Sequence, residues 1–343
     1  MVPGESLQRR WYEEDASPWW AMTLAAVYAA VVRLRRALYR RGWLRTRKLP
    51  VPVVVVGNIV AGGAGKTPLT IALVEALRAR GFSPGVVSRG YGGTVRGPML
   101  LDAQPDPAVT GDEPALIRMR TGAPVAIGAN RPDAATLLPG QGVDVVIADD
   151  GLQHYALARD IEICVVDSVR GLGNARLLPA GPLRESPGRL EEVDFVVVNT
   201  SHATNAPLTG DAPDRPRIAS AIPMRLHGDV ARNLHDSLLR PLADLSGARV
   251  HAVAGIGHPP RFFDALRGFG IEVVEHAFPD HHRYAAGDLD FGDGLPVLMT
   301  EKDSVKCGGF AQPDWWSVPV SAELPENFLD ELAARLRAQA TSR

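Results

Sequence analysis

The chain has 343 residues, 45% hydrophobic and 22% charged, with a formal net charge of -2. It is long enough for two compact domains with a sizeable core, and too close to electrical balance to call for a nucleic-acid partner. Its two cysteines, Cys164 and Cys307, lie far apart; they have no metal-ligand spacing and suit a reducing compartment.

The N-terminal segment departs from an ordinary soluble composition. Trp19 to Val32 carries no charge, yet it is short for a bilayer span of roughly 20 apolar residues. Glu13, Glu14 and Asp15 precede it, where a secretory signal would be basic. Arg33, Arg35, Arg36, Arg40, Arg41, Arg45, Arg47 and Lys48 follow it. Aromatic Trp11, Trp19 and Trp20 with that basic flank predict a helix lying in the headgroup layer of an anionic membrane. A buried helix with a solvated basic tail is the competing reading.

Beyond residue 48 the texture is α/β. Short apolar runs predict buried parallel strands at Val51–Val56, Gly85–Ser88, Pro124–Ile127, Val143–Ala148, Ile161–Val166 and Val193–Asn199. Helices are expected at Lys66–Arg80, Glu113–Arg120 and Pro132–Leu138 between them. Residues 201–217, rich in Pro, Asp, Thr and Ala, predict a linker or surface loop. A second α/β unit follows, with strands at Val250–Ala254, Glu272–His276 and Pro296–Thr300 and helices at Pro260–Phe269 and Pro325–Gln339. The expected organisation is a membrane-associating segment (1–48), a P-loop lobe with a mostly parallel sheet covered by helices (49–205), a linker (206–230) and a smaller α/β lobe (231–343).

Gly62-Gly63-Ala64-Gly65-Lys66-Thr67, followed by Pro68, sits between the first strand and the first helix of the lobe. A glycine-rich turn there closes backbone N–H groups around phosphates, helped by the helix dipole. Lys66 would reach the β- and γ-phosphates, and the Thr67 hydroxyl would ligate Mg²⁺. Residues 62–68 are therefore the expected ATP site. Val60 stands where the full motif has its first glycine.

Asp149-Asp150-Gly151 follows a strand and is either a solvated turn or, at the edge where acidic groups face the ligand crevice of an α/β sheet, a contact to Mg²⁺ or its water shell. Asp112, in Gly111-Asp112-Glu113-Pro114, fits either a helix N-cap or the carboxylate that a kinase needs beside its acceptor hydroxyl. Ser88-Arg89-Gly90-Tyr91-Gly92-Gly93 puts a cation and an aromatic on a flexible loop, suited to phosphate or sugar. Arg184 in Pro182-Leu183-Arg184-Glu185 is either a phosphate clamp or half of a surface ion pair. Asp280-His281-His282 offers an acid–base or orienting histidine, and Lys302 follows another strand. A P-loop alone leaves a kinase, a switch or assembly ATPase or GTPase, and a nucleotide sensor open.

The stretches VVVGNIVAGGAGKTP (54–68), VVSRGYGG (86–93), GDEP (111–114), IADDGLQHYALARDIEICVVD (147–167), GNARLLPAGPLRE (173–185), FPDHHRY (278–284) and TEKDSVK (300–306) together resemble the tetraacyldisaccharide 4'-kinase family of Gram-negative bacteria. The resemblance implies transfer of the ATP γ-phosphate to the 4'-hydroxyl of a tetraacylated glucosamine disaccharide 1-phosphate, in lipid A and lipopolysaccharide biosynthesis. It implies two α/β lobes with the site between them, and a peripheral enzyme on the cytoplasmic face of the inner membrane. Asp112 then resembles the base and His281 its orienting partner, with Lys66 and Arg184 stabilising phosphate charge. Thr67, Glu113, Asp149, Asp150 and Gln153 match the wall around Mg²⁺. Arg89, Tyr91 and Asn174 fall on the substrate side. No motif calls for an obligate protein partner.

Overall fold

The computed structural model describes residues 10–12, 17–200 and 220–341. Glu13, Glu14 and Asp15, and the linker or loop expected at 201–217, lie outside the described residues; of the linker expected at 206–230, Ile222–His227 is instead a strand paired with Phe195–Asn199. The elements begin with α1 (Trp19–Arg40), β1 (Val53–Gly57), α2 (Lys66–Ala79), β2 (Pro84–Ser88), β3 (Met99–Leu100), α3 (Pro107–Thr110), α4 (Asp112–Thr121), β4 (Val125–Ile127) and α5 (Arg131–Ala135). There follow β5 (Val145–Ala148), β6 (Ile161–Asp167), β7 (Phe195–Asn199), β8 (Ile222–His227), β9 (Val230–Asn233), β10 (Leu239–Pro241), β11 (Arg249–Ala254) and α6 (Pro259–Gly268). The chain finishes with β12 (Glu272–Ala277), β13 (Val297–Thr300), α7 (Glu301–Ser304), β14 (Trp315–Val318), β15 (Ser321–Glu323) and α8 (Glu326–Thr341).

Two sheets result. The larger has nine strands in the order β15-β8-β7-β6-β1-β5-β2-β4-β3, parallel from β8 through β4 with one antiparallel strand at each edge. Helices on both faces explain its continuous apolar strands. In β1, Val54 and Val56 enter one core with Leu69, Leu73 and Phe328, whereas Val53 and Val55 enter the other with Leu138, Leu152 and Leu190. The α/β reading, with a mostly parallel sheet covered by helices, is thus correct.

The smaller sheet has six strands, β10-β9-β14-β13-β11-β12, with α6 packed on it. The chain crosses from large sheet to small between β8 and β9 and returns between β14 and β15. Gly228 and Pro319 meet where it does so: a Cβ on Gly228 would lie 2.8 Å from the Pro319 carbonyl oxygen. The second unit drawn at 231–343 therefore contains a stretch that belongs elsewhere. β15 extends the large sheet, and α8 buries Phe328, Leu329, Leu332 and Leu336 in the core of the larger lobe. Periodicity identifies α8 as amphipathic but does not reveal which core receives its apolar face.

α1 is longer than its uncharged stretch. Ala21, Ala25, Tyr28, Val32 and Arg36 follow the helical period on its protein-facing side, while Trp19, Val27, Val31 and Leu34 are 81%, 58%, 58% and 62% exposed. Among the described residues, no helix is long and apolar enough to cross a membrane.

Candidate active site

β1 lies between β5 and β6, so the strand order reverses there and opens a crevice at the carboxyl ends. Arg89 follows β2, Asp149 follows β5, Asp167 ends β6 and Asn199 ends β7, all on that edge. The P-loop leaves β1 and enters α2. Gly65 takes φ +92° at the helix N-cap, and an added Cβ would sit 3.1 Å from Asn199 Nδ2, so glycine is required twice over. Val60 is buried and forms an antiparallel bridge to Leu183. Ala61 N donates to Pro182 O at 2.8 Å, and Arg184 N donates to Ile59 O at 2.7 Å. The first half of the loop is thus zipped to the segment carrying Arg184, which explains a β-branched residue in place of the usual glycine.

Asp150 gathers the charges. Its carboxylate lies 3.5 Å from Lys66 Nζ and 3.2 Å from Arg184 Nη1, while buried Arg131 donates to its carbonyl. Burial alone would raise its pKa, but Lys66, Arg184 and Arg131 outweigh it and bring it down to about 2. Its backbone has φ +48°, the kind of local strain that persists only where surroundings over-determine it. Asp149 is fully buried and accepts from Thr70 Oγ1 at 3.0 Å; burial, with Glu113 and Asp150 nearby, raises its pKa. Gln153 Nε2 donates to Asn58 O at 3.1 Å and to Glu185 at 3.4 Å, and Lys66 Nζ donates to Asn58 Oδ1 at 3.3 Å.

Asp112 and His281 come from different lobes. Gly111 is the N-cap of α4, and Asp112, the first residue of the helix, is not. It points instead to His281, with Nδ1 to Oδ2 at 3.0 Å. Gly111 has φ +89°, and an added Cβ would lie 2.4 Å from the Tyr91 carbonyl oxygen, so glycine lets the 88–93 loop close over the carboxylate. Tyr91 meets the His281 ring edge-on at 5.1 Å. Burial would raise the Asp112 pKa, but the His281 hydrogen bond, Lys306 and Lys302 lower it. The same hydrogen bond raises His281, whose backbone is at φ +62°. Lys306 lies 3.8 Å from Asp112 and is held by the fully buried Asp303 at 2.7 Å. Lys302 bonds Glu113 at 3.3 Å and Asp280 at 3.1 Å.

The fold therefore brings Lys66, Thr67, Glu113, Asp149, Asp150, Gln153 and Arg184 to one crevice and closes it with His281 and Lys302. Arg184 pairs with Asp150 and not with its neighbour Glu185, which is 1% exposed and bound by Tyr155 and Arg189. Asn174 braces its own loop, donating to Ala180 O at 2.9 Å and accepting from Arg176 N at 3.1 Å. His282 lies 3.4 Å from Asp288, away from the dyad. Arg131 escaped sequence reasoning, and His154, Glu185 and Lys306 lie within the matching stretches but receive no role there. Arg131 opens a short helix like any exposed arginine, and its burial is a tertiary fact. Burial, with Arg131, Arg89 and Arg35, depresses His154 to about 3 and keeps it neutral.

The donor set fits MgATP. Among the described residues no three His, Cys, Asp or Glu side chains form a ready-made metal cage. Mg²⁺ is held by one or two carboxylates together with substrate phosphates, and Asp150, 3.5 Å from Lys66, with its neighbour Asp149 can supply them.

Comparisons with known proteins agree with this geometry. The family described as Tetraacyldisaccharide-1-P 4'-kinase matches residues 17–337. The chain is 52% identical over 339 residues to the tetraacyldisaccharide 4'-kinase of Xanthomonas campestris, covering 95% of this chain and 96% of that one. It is 53% identical over 332 residues to the enzyme of Stenotrophomonas maltophilia, covering 95% of each. The crystal structure of LpxK from Aquifex aeolicus in complex with ATP superimposes with a TM-score of 0.77 at 28% identity, covering 92% of this chain and 98% of that one. With the lobes, the crevice and these likenesses in agreement, the chain belongs to the tetraacyldisaccharide 4'-kinase family.

Proposed function

We propose that the crevice transfers the γ-phosphate of ATP to the 4'-hydroxyl of a tetraacylated glucosamine disaccharide 1-phosphate, with Asp112 as proton acceptor. As a family member the chain is an ATP-dependent lipid kinase acting on a lipid A precursor. The observation that carries the residue assignment is the 3.0 Å Asp112–His281 bond across the lobes, beside a P-loop.

The acceptor oxygen bonds to the γ-phosphorus, the bond from that phosphorus to the β–γ bridging oxygen breaks, and ADP leaves. The hydroxyl proton passes to Asp112. A carboxylate with a lowered pKa takes that proton late, once bonding to phosphorus has acidified the hydroxyl, in keeping with a loose transition state. His281 orients Asp112 and, with Lys306, keeps it charged beforehand. Lys66 and Arg184 stabilise charge on the transferred group. The Gly62–Pro68 turn holds the phosphates. Thr67, Asp149 and Asp150 would hold Mg²⁺, with Glu113 and Gln153 beside them; the ion would neutralise phosphate charge. We place the sugar head beneath Arg89 and Tyr91, at a mouth shaped by the loop that Asn174 braces.

The outer face of α1, with Trp19, Val27, Val31 and Leu34 above the arginines of its second half, supports peripheral docking at the cytoplasmic face of the inner membrane. Its apolar body enters the headgroup layer and its basic flank meets anionic lipid. Flotation with anionic liposomes is expected to fail when Val27 and Leu34 are both changed to Asp; unaltered flotation refutes the docking face. The activity is tested with γ-labelled ATP, Mg²⁺ and detergent-dispersed acylated disaccharide 1-phosphate. Labelled lipid is expected, and free phosphate without it would point to an ATPase switch instead.

A further inference from the structure

The backbone of Arg184 is held from two directions. Its N–H donates to Ile59 O of the P-loop entry at 2.7 Å. Its carbonyl accepts from the hydroxyl of Tyr28, on the protein-facing side of α1, at 3.1 Å. Burial raises the Tyr28 phenol above its ordinary value, so the hydroxyl stays protonated and donates. Two turns further along the same face, Arg36 brings Nε to 4.0 Å from buried Glu185, lies over the Tyr155 ring at 5.7 Å and bonds Glu192. Ala21 and Ala25 pack on Ala180 of the same segment. Small side chains there let α1 approach closely enough for Tyr28 to reach a main-chain carbonyl.

From this we infer that Tyr28 and Arg36 are positioning residues: α1 acts through them to set Arg184 against Asp150 and the P-loop. The inference rests on the proposed role of Arg184 as a phosphate clamp. A guanidinium that must meet developing charge depends on where its backbone is anchored, because misplacement by about 1 Å costs on the order of 100-fold. One anchor is the P-loop itself. The other is the helix whose outer face is apolar, so the placement of that helix bears directly on the clamp. Arg36 has the parallel task for Glu185, whose Tyr155 and Gln153 partners lead back to Asn58 at the root of the P-loop.

Tyr28→Phe removes one oxygen and keeps the ring, so the helix stays packed. With labelled ATP and detergent-dispersed acceptor we expect kcat to fall about fivefold, the equivalent of ~1 kcal/mol for a lost hydrogen bond, with KM for ATP little altered. In an Arg184→Ala background the same change should have no further effect on kcat, since no guanidinium remains to be placed. An equal loss in both backgrounds, or none in the native one, overturns the inference. Full turnover by Arg184→Ala alone would defeat the clamp assignment, and this inference with it. A crippled Arg184→Ala beside an unaffected Tyr28→Phe defeats only the inference. Arg36→Ala is expected to lower kcat and Arg36→Lys to restore most of it through the charge facing Glu185; a lysine that restores nothing overturns the Arg36 half.

Discussion

The two ends of the crevice are built by different means. At the phosphate end, Lys66, Asp149, Asp150 and Arg184 all belong to the larger lobe, on strand ends and a loop zipped to the P-loop by main-chain hydrogen bonds. At the proposed proton end, Asp112 and Glu113 stand on one lobe, while from the other His281 and Lys306 reach Asp112 and Lys302 reaches Glu113. The phosphate end is thus set by the folding of one domain, whereas the proton end exists only while two domains meet. Nucleotide binding and transfer should therefore respond separately to mutation.

The largest expected effect separates them cleanly. Asp112→Ala should lower kcat by on the order of 10³-fold while calorimetry finds ATP affinity little changed; normal turnover would remove the proton end from the comparison. Lys66→Ala should cost about 100-fold in kcat/KM for ATP, through phosphate binding and charge stabilisation together, with the Asp112–His281 pair undisturbed.

His281→Ala should cost about tenfold in kcat, or ~1.4 kcal/mol, and it sharpens the contrast through pH. His281 is held above its ordinary value of 6.5, so its share of stability is present below that value and is lost as pH rises through the raised one. Asp112 is held below its ordinary 3.8, so its share is present above that value and is lost as pH falls through the lowered one. The stability gap between native protein and His281→Ala should be widest between these ordinary values and narrow as pH climbs. A gap that widens with rising pH would contradict the pairing.

The smallest effect probes the contact between lobes away from the dyad. Arg261, in the first turn of α6, donates to Asp167 at the end of β6 through two bonds of 2.6 and 3.0 Å. Arg261→Ala should lower stability in urea by about 1–2 kcal/mol, because buried Asp167 keeps its bonds to Val169 N and Arg170 N. An unchanged urea midpoint would show that the lobes are held by the dyad side alone.

Much of the phosphate end was legible because it is local. Lys66, Thr67, Asp149 and Asp150 lie within a few residues of strands that announce themselves as apolar runs, so strand, turn and acid can be read together. The proton end was legible only as motifs: Asp112 fits an N-cap until the structure gives that position to Gly111. Arg184, at the phosphate end, is the exception there, since it fits a surface ion pair until Asp150 is seen opposite it. Arg131 and Lys306 had no local signal, since each acquires its meaning from a partner far along the chain.

By itself the sequence determined the central strands of both sheets, the phosphate turn, the acids behind it and the apolar stretch with its basic flank at the N-terminus, because each depends on spacing within a few residues. Only the tertiary structure decided that α8 returns to the larger core, that Arg184 is held between α1 and the P-loop, and that His281 reaches Asp112. These pairings cross long stretches of chain, and which partner wins depends on packing and on the cost of leaving a buried charge alone, neither of which a local pattern carries.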